Sequence, residues 1–204
     1  MDSFARLGRV LDEAALQVIR DEADAHLAAR GAPSEYGVIA LDLARHGAAS
    51  RAALPPLGAR VAALLDEDEV VLFQDLAIDK PPGAPELFWH RDVDHLPLDD
   101  DGGLTMWIAL DDADEANGCL RYQRGDEIAH VPLRAGEALV HAPTVLHGSP
   151  PNTTTRRRRG WSLWWARPRA RWRLDGKPHP FLYELGPAHG DPLVGARFVR
   201  ARRV

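Results

Sequence analysis

The residues best suited to anchor a reaction are an imidazole and a carboxylate two positions apart, His90 and Asp92, in the stretch Phe88-Trp89-His90-Arg91-Asp92. On a β-strand, side chains alternate with a period of two, so both would leave one face with Cα atoms roughly 6.6 Å apart and could grip one metal ion. On a helix, residues two apart point about 200° away from each other. The metal reading therefore requires a strand, and it requires a third ligand. Among nine histidines, His147 is singled out by its neighbourhood. It closes the apolar run Val145-Leu146-His147, and the sharp turn Gly148-Ser149-Pro150-Pro151-Asn152 then leads into a strand carrying Arg158. Two histidines and one carboxylate on three corners of an octahedron leave three positions open for substrate and O₂, the arrangement of non-haem Fe(II) oxygenases.

The elements that must position these groups are legible in outline. Residues 12–30 read as a helix, with Asp12 as N-cap, Leu16, Ile19, Ala23 and Leu27 on one face and Gly31 as the stop. His26 beside that stripe reads as a packing histidine. Residues 34–50 are irregular apart from a short strand at 36–41. A second helix is expected over 56–65, with Pro56 in the first turn and Leu57, Val61, Leu64 and Leu65 as its stripe, running into the acidic cluster 66–69. Beyond it the texture turns to short β-rich runs at 70–79, 87–94, 104–110, 119–123, 128–132, 138–141, 144–148 and 158–167. Turn signals separate them, including Pro81-Pro82-Gly83, Asp101-Gly102-Gly103, Asn117-Gly118 and Ala135-Gly136. So many short strands predict a sandwich or jelly roll, mainly β with flanking helices. The organisation expected is a single domain: a mainly helical part at 1–68, a β-core at 69–174 and a C-terminal tail at 175–204. Arg197, Arg200, Arg202 and Arg203 in the tail are expected on the surface.

The chain has 204 residues, enough for a sizeable core, with 45% hydrophobic and 27% charged residues, the balance of an ordinary globular protein. A formal net charge of −5 argues against a general nucleic-acid binder. One cysteine, Cys119, excludes an internal disulfide framework and fits a reducing compartment, where it reads as a small buried hydrophobe. Neither a signal-peptide segment nor a run of about 18 apolar residues occurs. A cytoplasmic location with no membrane partner is expected, and nothing in the sequence sets an oligomeric state.

Several blocks in order resemble the phytanoyl-CoA dioxygenase family of Fe(II)/2-oxoglutarate-dependent oxygenases. They are Leu76-Ala77-Ile78-Asp79-Lys80-Pro81-Pro82-Gly83, His90-Arg91-Asp92, Met106-Trp107-Ile108-Ala109-Leu110-Asp111-Asp112, Glu115-Ala116-Asn117-Gly118-Cys119-Leu120, and His147-Gly148-Ser149 with Asn152 and Arg158. The resemblance implies a double-stranded β-helix (a cupin-like jelly roll) with Fe(II), 2-oxoglutarate and O₂ as cofactor and co-substrates. It makes His90, Asp92 and His147 the metal ligands and pairs Arg158 with the distal carboxylate of 2-oxoglutarate. That role suits a planar, permanently charged donor. Leu76, Trp107 and Ser149 fall at positions lining or touching the co-substrate, and Ser162, four after Arg158, shares its strand face. The implied outcome is hydroxylation of a small molecule with release of succinate and CO₂, desaturation or ring closure using the same ligands. Aspartate at position 92 argues against a halogenase, which needs that position vacant for chloride. The sequence departs from the family at Gln123-Arg124-Gly125-Asp126, where many relatives carry P-G-S-H, and its short interval from His90 to His147 predicts trimmed loops and an open site.

Other groups have plainer readings. His95 and His141 are expected to be pocket-lining or core histidines, aspartates 99 to 101 a solvated turn, and Glu86 and Asp94 neighbours of the site mouth. Substrate contacts are expected from Gln74, Arg91, Asp94, His95, Arg121 and Gln123, all polar, which leans toward a polar small molecule. Two rival functions remain at this stage. Residues 156–173 hold eight arginines and four tryptophans, a composition that could track an anionic strand by charge and stacking, although one co-substrate arginine amid a solvated face is favoured and no nucleic-acid partner is expected. A cupin-like metal-binding protein without oxygenase activity would have no need of Arg158.

Overall fold

The computed structural model describes residues 4–35, 37–99, 103–175 and 178–204. Tyr36 of the expected short strand, two aspartates of the acidic turn (100 and 101) and two residues of the 101–103 turn lie outside them.

The first helix, α1 (Glu13–Arg30), starts where Asp12 accepts a hydrogen bond from the Ala15 N–H at 2.8 Å, and it buries Leu16, Ile19, Ala23, His26 and Leu27. His26 is a packing histidine, its Nε2 2.7 Å from the Leu41 carbonyl. After a short helix, α2 (Leu43–His46), helix α3 spans Ala48–Leu65. It begins eight residues before the expected start, so Pro55 and Pro56 lie inside it rather than in its first turn. The reason is a cap from far away in sequence. Gly47 offers no side chain, and the Glu22 carboxylate of α1 accepts from the N–H groups of Ala49 (2.8 Å) and Ser50 (2.9 Å). Burial opposes ionisation of Glu22, but these bonds outweigh it and lower its pKa. The contribution is therefore complete above the ordinary carboxylate range and lost as pH falls through it. Glu22→Ala is expected to destabilise the fold by about 1–2 kcal/mol, as loss of an N-cap does. Urea unfolding at pH 7 checks this, and an unchanged midpoint would remove Glu22 from the account.

The strands are β1 (Phe4–Arg9), β2 (Ala32–Ser34), β3 (Gly37–Leu41), β4 (Glu69–Lys80), β5 (Leu87–His90), β6 (Leu104–Ala109), β7 (Leu120–Arg124), β8 (Glu127–Val131), β9 (Glu137–His141), β10 (His147–Ser149), β11 (Arg158–Ala166) and β12 (Val199–Arg202). All pairs are antiparallel. The major sheet runs β1-β9-β6-β11-β4-β3-β2 with β12 also on β4, and the minor sheet runs β5-β10-β7-β8. Together they form a jelly roll, mainly β with flanking helices. Strand β6 is buried on both faces. Leu104, Met106 and Ile108 join the cluster beneath α1 and α3, and Trp107 and Ala109 join the inter-sheet cluster with Leu120, Tyr122 and Leu139.

Strands β1, β2 and β12 were not expected, nor was the helix α4 (Pro180–Leu185). The tail is therefore part of the folded core. It adds β12 to β4, packs Phe181 and Phe198 around Phe73, and buries Arg197, whose guanidinium lies over the Phe181 ring and pairs with Asp42 (2.6 Å) and Glu184 (2.8 Å). Arg200, Arg202 and Arg203 are exposed, as expected. The boundaries expected at 68/69 and 174/175 do not divide the major sheet, which takes strands from both sides of each. Among the described residues no helix is long and apolar enough to cross a membrane.

Candidate active site

His90 ends β5 and His147 opens β10, and the two are register partners across the minor sheet, with ring centroids 4.3 Å apart. Asp92 is not on the strand. The expected run to 94 stops at His90, and Asp92 opens a 3₁₀ turn (Asp92–His95). Because Arg91 remains extended (φ −116°, ψ 138°), the alternation survives one more residue and Asp92 still returns to the face of His90. Ligand atoms of His90, Asp92 and His147 all lie within 4.8 Å of one another, and Asp92 Oδ1 is 3.7 Å from each imidazole Nε2. Each ring has its Nδ1 3.0 Å from a backbone carbonyl, Phe88 O for His90 and Val145 O for His147. A carbonyl can only accept, so Nδ1 carries the proton and both Nε2 lone pairs face the centre, ready to ligate.

The carboxylate is held as firmly. Asp92 Oδ2 accepts from the Thr105 hydroxyl and from His141 Nε2 at 3.0 Å, which leaves Oδ1 for the two imidazoles. With its proton on Nε2, His141 accepts at Nδ1 from the buried Tyr122 hydroxyl at 2.9 Å. Burial opposes the Asp92 charge, but the hydrogen bond from His141, the polar surroundings that His147 and His141 provide, and the Thr105 hydroxyl hold its pKa well below the usual carboxylate range. Burial, followed by the neighbouring His141, pushes His147 down to about 3. An ionised carboxylate beside a neutral imidazole is the protonation state that a divalent metal requires. His141 is the core histidine expected from the sequence, but it also orients Asp92, a role that sequence reading missed.

On the major sheet, register stacks the remaining groups in rows. Lys80 on β4 is opposite Arg158 on β11; two residues further in lie Ile78 and Gly160; then come Leu76, Ser162 and Trp107 of β6; then Gln74, Trp164 and Thr105. Gly160 is needed there, because a Cβ would sit 2.4 Å from the Trp107 ring. Arg158 is 2% exposed, its guanidinium carbon 5.3 Å from the Trp107 ring centroid. Arg158 Nη2 and Lys80 Nζ donate to the same Ser149 hydroxyl, at 3.3 and 3.1 Å. Lys80 is wholly buried, and burial, followed by the charge of Arg158, pushes its pKa down to about 7. Two cationic side chains are thus pressed together in the interior, Arg158 on the lining of the inner chamber and, beside it, Lys80. Gly118 closes over it with φ +90°, where a Cβ would meet the Lys80 stem at 2.8 Å. Asn117 and Asn152 tie down the surrounding loops, bonding Asp112 O (2.8 Å) and Lys80 O (3.0 Å) respectively.

Two neighbouring chambers share Leu76, Leu87, His90, Asp92, Thr105 and Ser162 in their walls. The inner one, about 80 Å³, lies between the triad and Arg158, and is walled by Leu76, Trp107 and Ser162 among others. The outer one, about 370 Å³, opens on the other side of His90 and Asp92. Of the expected substrate contacts, Gln74 and His95 line the outer chamber. Arg91 and Asp94 are exposed and line neither chamber, because the 3₁₀ turn breaks the strand parity that would have carried Asp94 inward. Arg121 lies over Trp89 and pairs with Glu86 at 2.7 Å, and Gln123 lines a separate surface hollow with Phe4 and Val145, as do Arg124 and Gly125 of the divergent hairpin. A polar substrate thus loses four of its six supports. His95 is exposed, its ring 5.8 Å from that of His90. Cys119 is buried, and burial pushes its thiol up to about 11.

The arginine- and tryptophan-rich segment offers no stacking platform. Trp161, Trp164, Trp165 and Trp172 are all buried. Arg156, Arg157, Arg159, Arg167 and Arg169 are engaged with Asp114, Asp79, Asp111 and Glu67 at 2.6–2.9 Å.

Comparison with known proteins adds a family and a fold. The sequence model of the phytanoyl-CoA dioxygenase (PhyH) family matches residues 4–128 and 123–160. No curated protein matches the chain. Among solved structures it is similar to the non-heme alpha ketoglutarate dependent carbocyclase SnoK from nogalamycin biosynthesis, at TM-score 0.86 and 20% identity, covering 98% of this chain and 92% of that one. The epimerase SnoN in complex with Fe³⁺, alpha ketoglutarate and nogalamycin RO matches at TM-score 0.85 and 23% identity, covering 98% and 94%. EctD from S. alaskensis with bound Fe matches at TM-score 0.75 and 18% identity, covering 95% and 84%.

Proposed function

The chain belongs to the phytanoyl-CoA dioxygenase family, and from that premise we propose that it is an Fe(II)- and 2-oxoglutarate-dependent oxygenase acting on a small molecule. The observation that carries this is a triad with bare Nε2 lone pairs and an ionised carboxylate, separated by one small chamber from the buried Arg158, which shares the Ser149 hydroxyl with Lys80. His90, Asp92 and His147 would hold the metal and leave three positions open. Bound iron and 2-oxoglutarate would supply the oxidising chemistry, coupling O₂ to decarboxylation into succinate and CO₂ and to hydroxylation of a substrate C–H bond. Arg158 fixes the distal carboxylate through its planar fork, and Ser149, whose hydroxyl donates to the Gly118 carbonyl at 2.9 Å, accepts from Arg158 and holds it in place. Trp107, Leu76 and Ser162 wall the inner chamber and exclude water, which strengthens those charge pairs. Thr105 and the Tyr122–His141 relay keep Asp92 charged and aimed through one oxygen. Carbon dioxide and succinate released from 2-oxoglutarate under air, dependent on added Fe(II), test this reading. Metal-loaded protein that releases neither, with or without candidate substrates, would contradict it.

Lys80 provides a pH signature. Its charge favours the bound dianion, and in the free protein that charge is present below about pH 7 and lost above it. Affinity for 2-oxoglutarate is expected to be highest below pH 7 and to weaken about tenfold between pH 7 and 9, the size of one unit charge acting over about 12 Å at an effective dielectric near 20. Calorimetric titration with Mn(II) in place of iron measures it. Lys80→Met should be weaker at pH 7 and flat across the range, and a wild-type profile as flat as the variant's would refute the assignment.

A further inference from the structure

We propose that Gln74 is the specificity residue of the outer chamber, presenting an amide N–H donor that selects a largely apolar substrate through one acceptor oxygen such as a ketone carbonyl. The inference rests on reading the outer chamber as the substrate site.

The walls of that chamber are mainly apolar, built by Ile39, Leu41, Leu87, Phe88, Trp164 and Pro180. Its polar residues are His90, Asp92, Thr105 and Ser162, which it shares with the inner chamber, His95, and Gln74 and His179, which form a pair whose proton positions are forced. His179 is 8% exposed and caps α4, its Nδ1 3.2 Å from the Phe181 backbone nitrogen. A backbone N–H can only donate, so Nδ1 bears no proton. Burial, followed by the charge of Arg197, pushes the His179 pKa down to about 4, so the ring is neutral near pH 7 and its one proton is on Nε2. Nε2 lies 2.8 Å from the Gln74 amide and must donate, which only the amide oxygen can accept. The orientation of the Gln74 amide is therefore set by a chain of obligatory donors starting at a backbone N–H. Its NH₂ group has no partner among the described residues.

Position supports the role. Gln74 occupies the row just beyond the Leu76–Ser162–Trp107 row of the inner chamber, in register with Trp164, which pairs in turn with Thr105, the residue that holds Asp92. A substrate oxygen anchored there would place neighbouring C–H bonds beside the metal centre. A donor kept unpaired in an apolar wall penalises molecules that cannot accept from it, which is how a pocket built around one hydrogen bond rejects the analogue lacking it. His179 is the positioning residue for this donor.

The test uses three bicyclic probes of one shape on metal-free protein without 2-oxoglutarate, with affinities from ligand-observed NMR titration at pH 8. The probes are 1-tetralone (acceptor), tetralin (neither) and 5,6,7,8-tetrahydro-1-naphthol (a hydroxyl that donates). Wild type should bind the ketone about tenfold tighter than the hydrocarbon, the size of one net hydrogen bond. Gln74→Leu, which continues the apolar wall, should remove that difference. Gln74→Glu, an acceptor only, should invert the preference toward the phenol, a change that a merely structural role would not produce. His179→Phe frees the amide to flip and should raise phenol affinity while the ketone still binds. Equal binding of ketone and hydrocarbon by wild type, a preference that persists in Gln74→Leu, or no binding of any probe at millimolar concentration would each overturn the proposal. With iron and keto acid absent, these results stand or fall independently of the oxygenase reading.

Discussion

His90→Ala is expected to abolish succinate formation and to weaken metal binding by more than the roughly 10–100-fold that loss of an outer partner costs. It is the cleanest of the three ligand substitutions. The imidazole sits at the end of β5, against the rings of Phe88, His95 and His147 and outside the hydrophobic clusters, so truncation leaves the core intact. Asp92→Ala removes a carboxylate on which Thr105 and His141 converge, and His147→Ala opens a hole beside Tyr122 and His141, so both mix loss of the metal with loss of packing. Equilibrium dialysis against Fe(II) or Mn(II) beside a thermal melt separates the two. A His90→Ala protein that melts like wild type and retains metal and activity would remove His90 from the site.

The second large effect is at Arg158. Arg158→Ala is expected to weaken 2-oxoglutarate binding by about 3 kcal/mol or more, on the order of a hundredfold, because the partner carboxylate would stay buried without its cation. Arg158→Lys should restore little, since an ammonium cannot reproduce the planar fork. Arg158→Met fills the volume and controls for the cavity. Metal affinity should be unchanged in all three, which distinguishes a co-substrate role from a general loss of the site. An unaltered 2-oxoglutarate affinity in a folded Arg158→Ala protein would sink the assignment.

What could be read from the chain depended on how far apart the cooperating residues lie. His90 and Asp92 are two positions apart in sequence, and the period-two argument brought them together. It did so although Asp92 is not on the strand, because a single extended residue, Arg91, was enough. The same argument failed one step later at Asp94, which the 3₁₀ turn carries to the surface. Lys80 was visible as part of a motif, but its chemistry was not. Its depressed pKa arises from burial against Arg158, 78 positions away, an adjacency that exists only once β4 and β11 pair. His141 was correctly read as a core histidine, yet its bond to Asp92 spans 49 positions. His179 gave no signal, since its partner Gln74 is 105 residues away. The start of α3 was misplaced for a related reason, its cap coming from Glu22 on another helix. Arg197 was assigned to the surface by composition, whereas Phe181, Asp42 and Glu184 bury it.

The central claim is that one iron ion at His90, Asp92 and His147 chelates 2-oxoglutarate whose far end reaches Arg158. Anaerobic absorption spectroscopy tests it most directly, because a keto acid chelating Fe(II) through its carboxylate and keto oxygens produces a weak visible charge-transfer band. The account predicts that the band appears only with Fe(II) and 2-oxoglutarate together, is absent in His90→Ala, and requires much higher 2-oxoglutarate in Arg158→Ala. Iron demonstrably bound to the wild-type protein, with no such band at saturating 2-oxoglutarate, would contradict it.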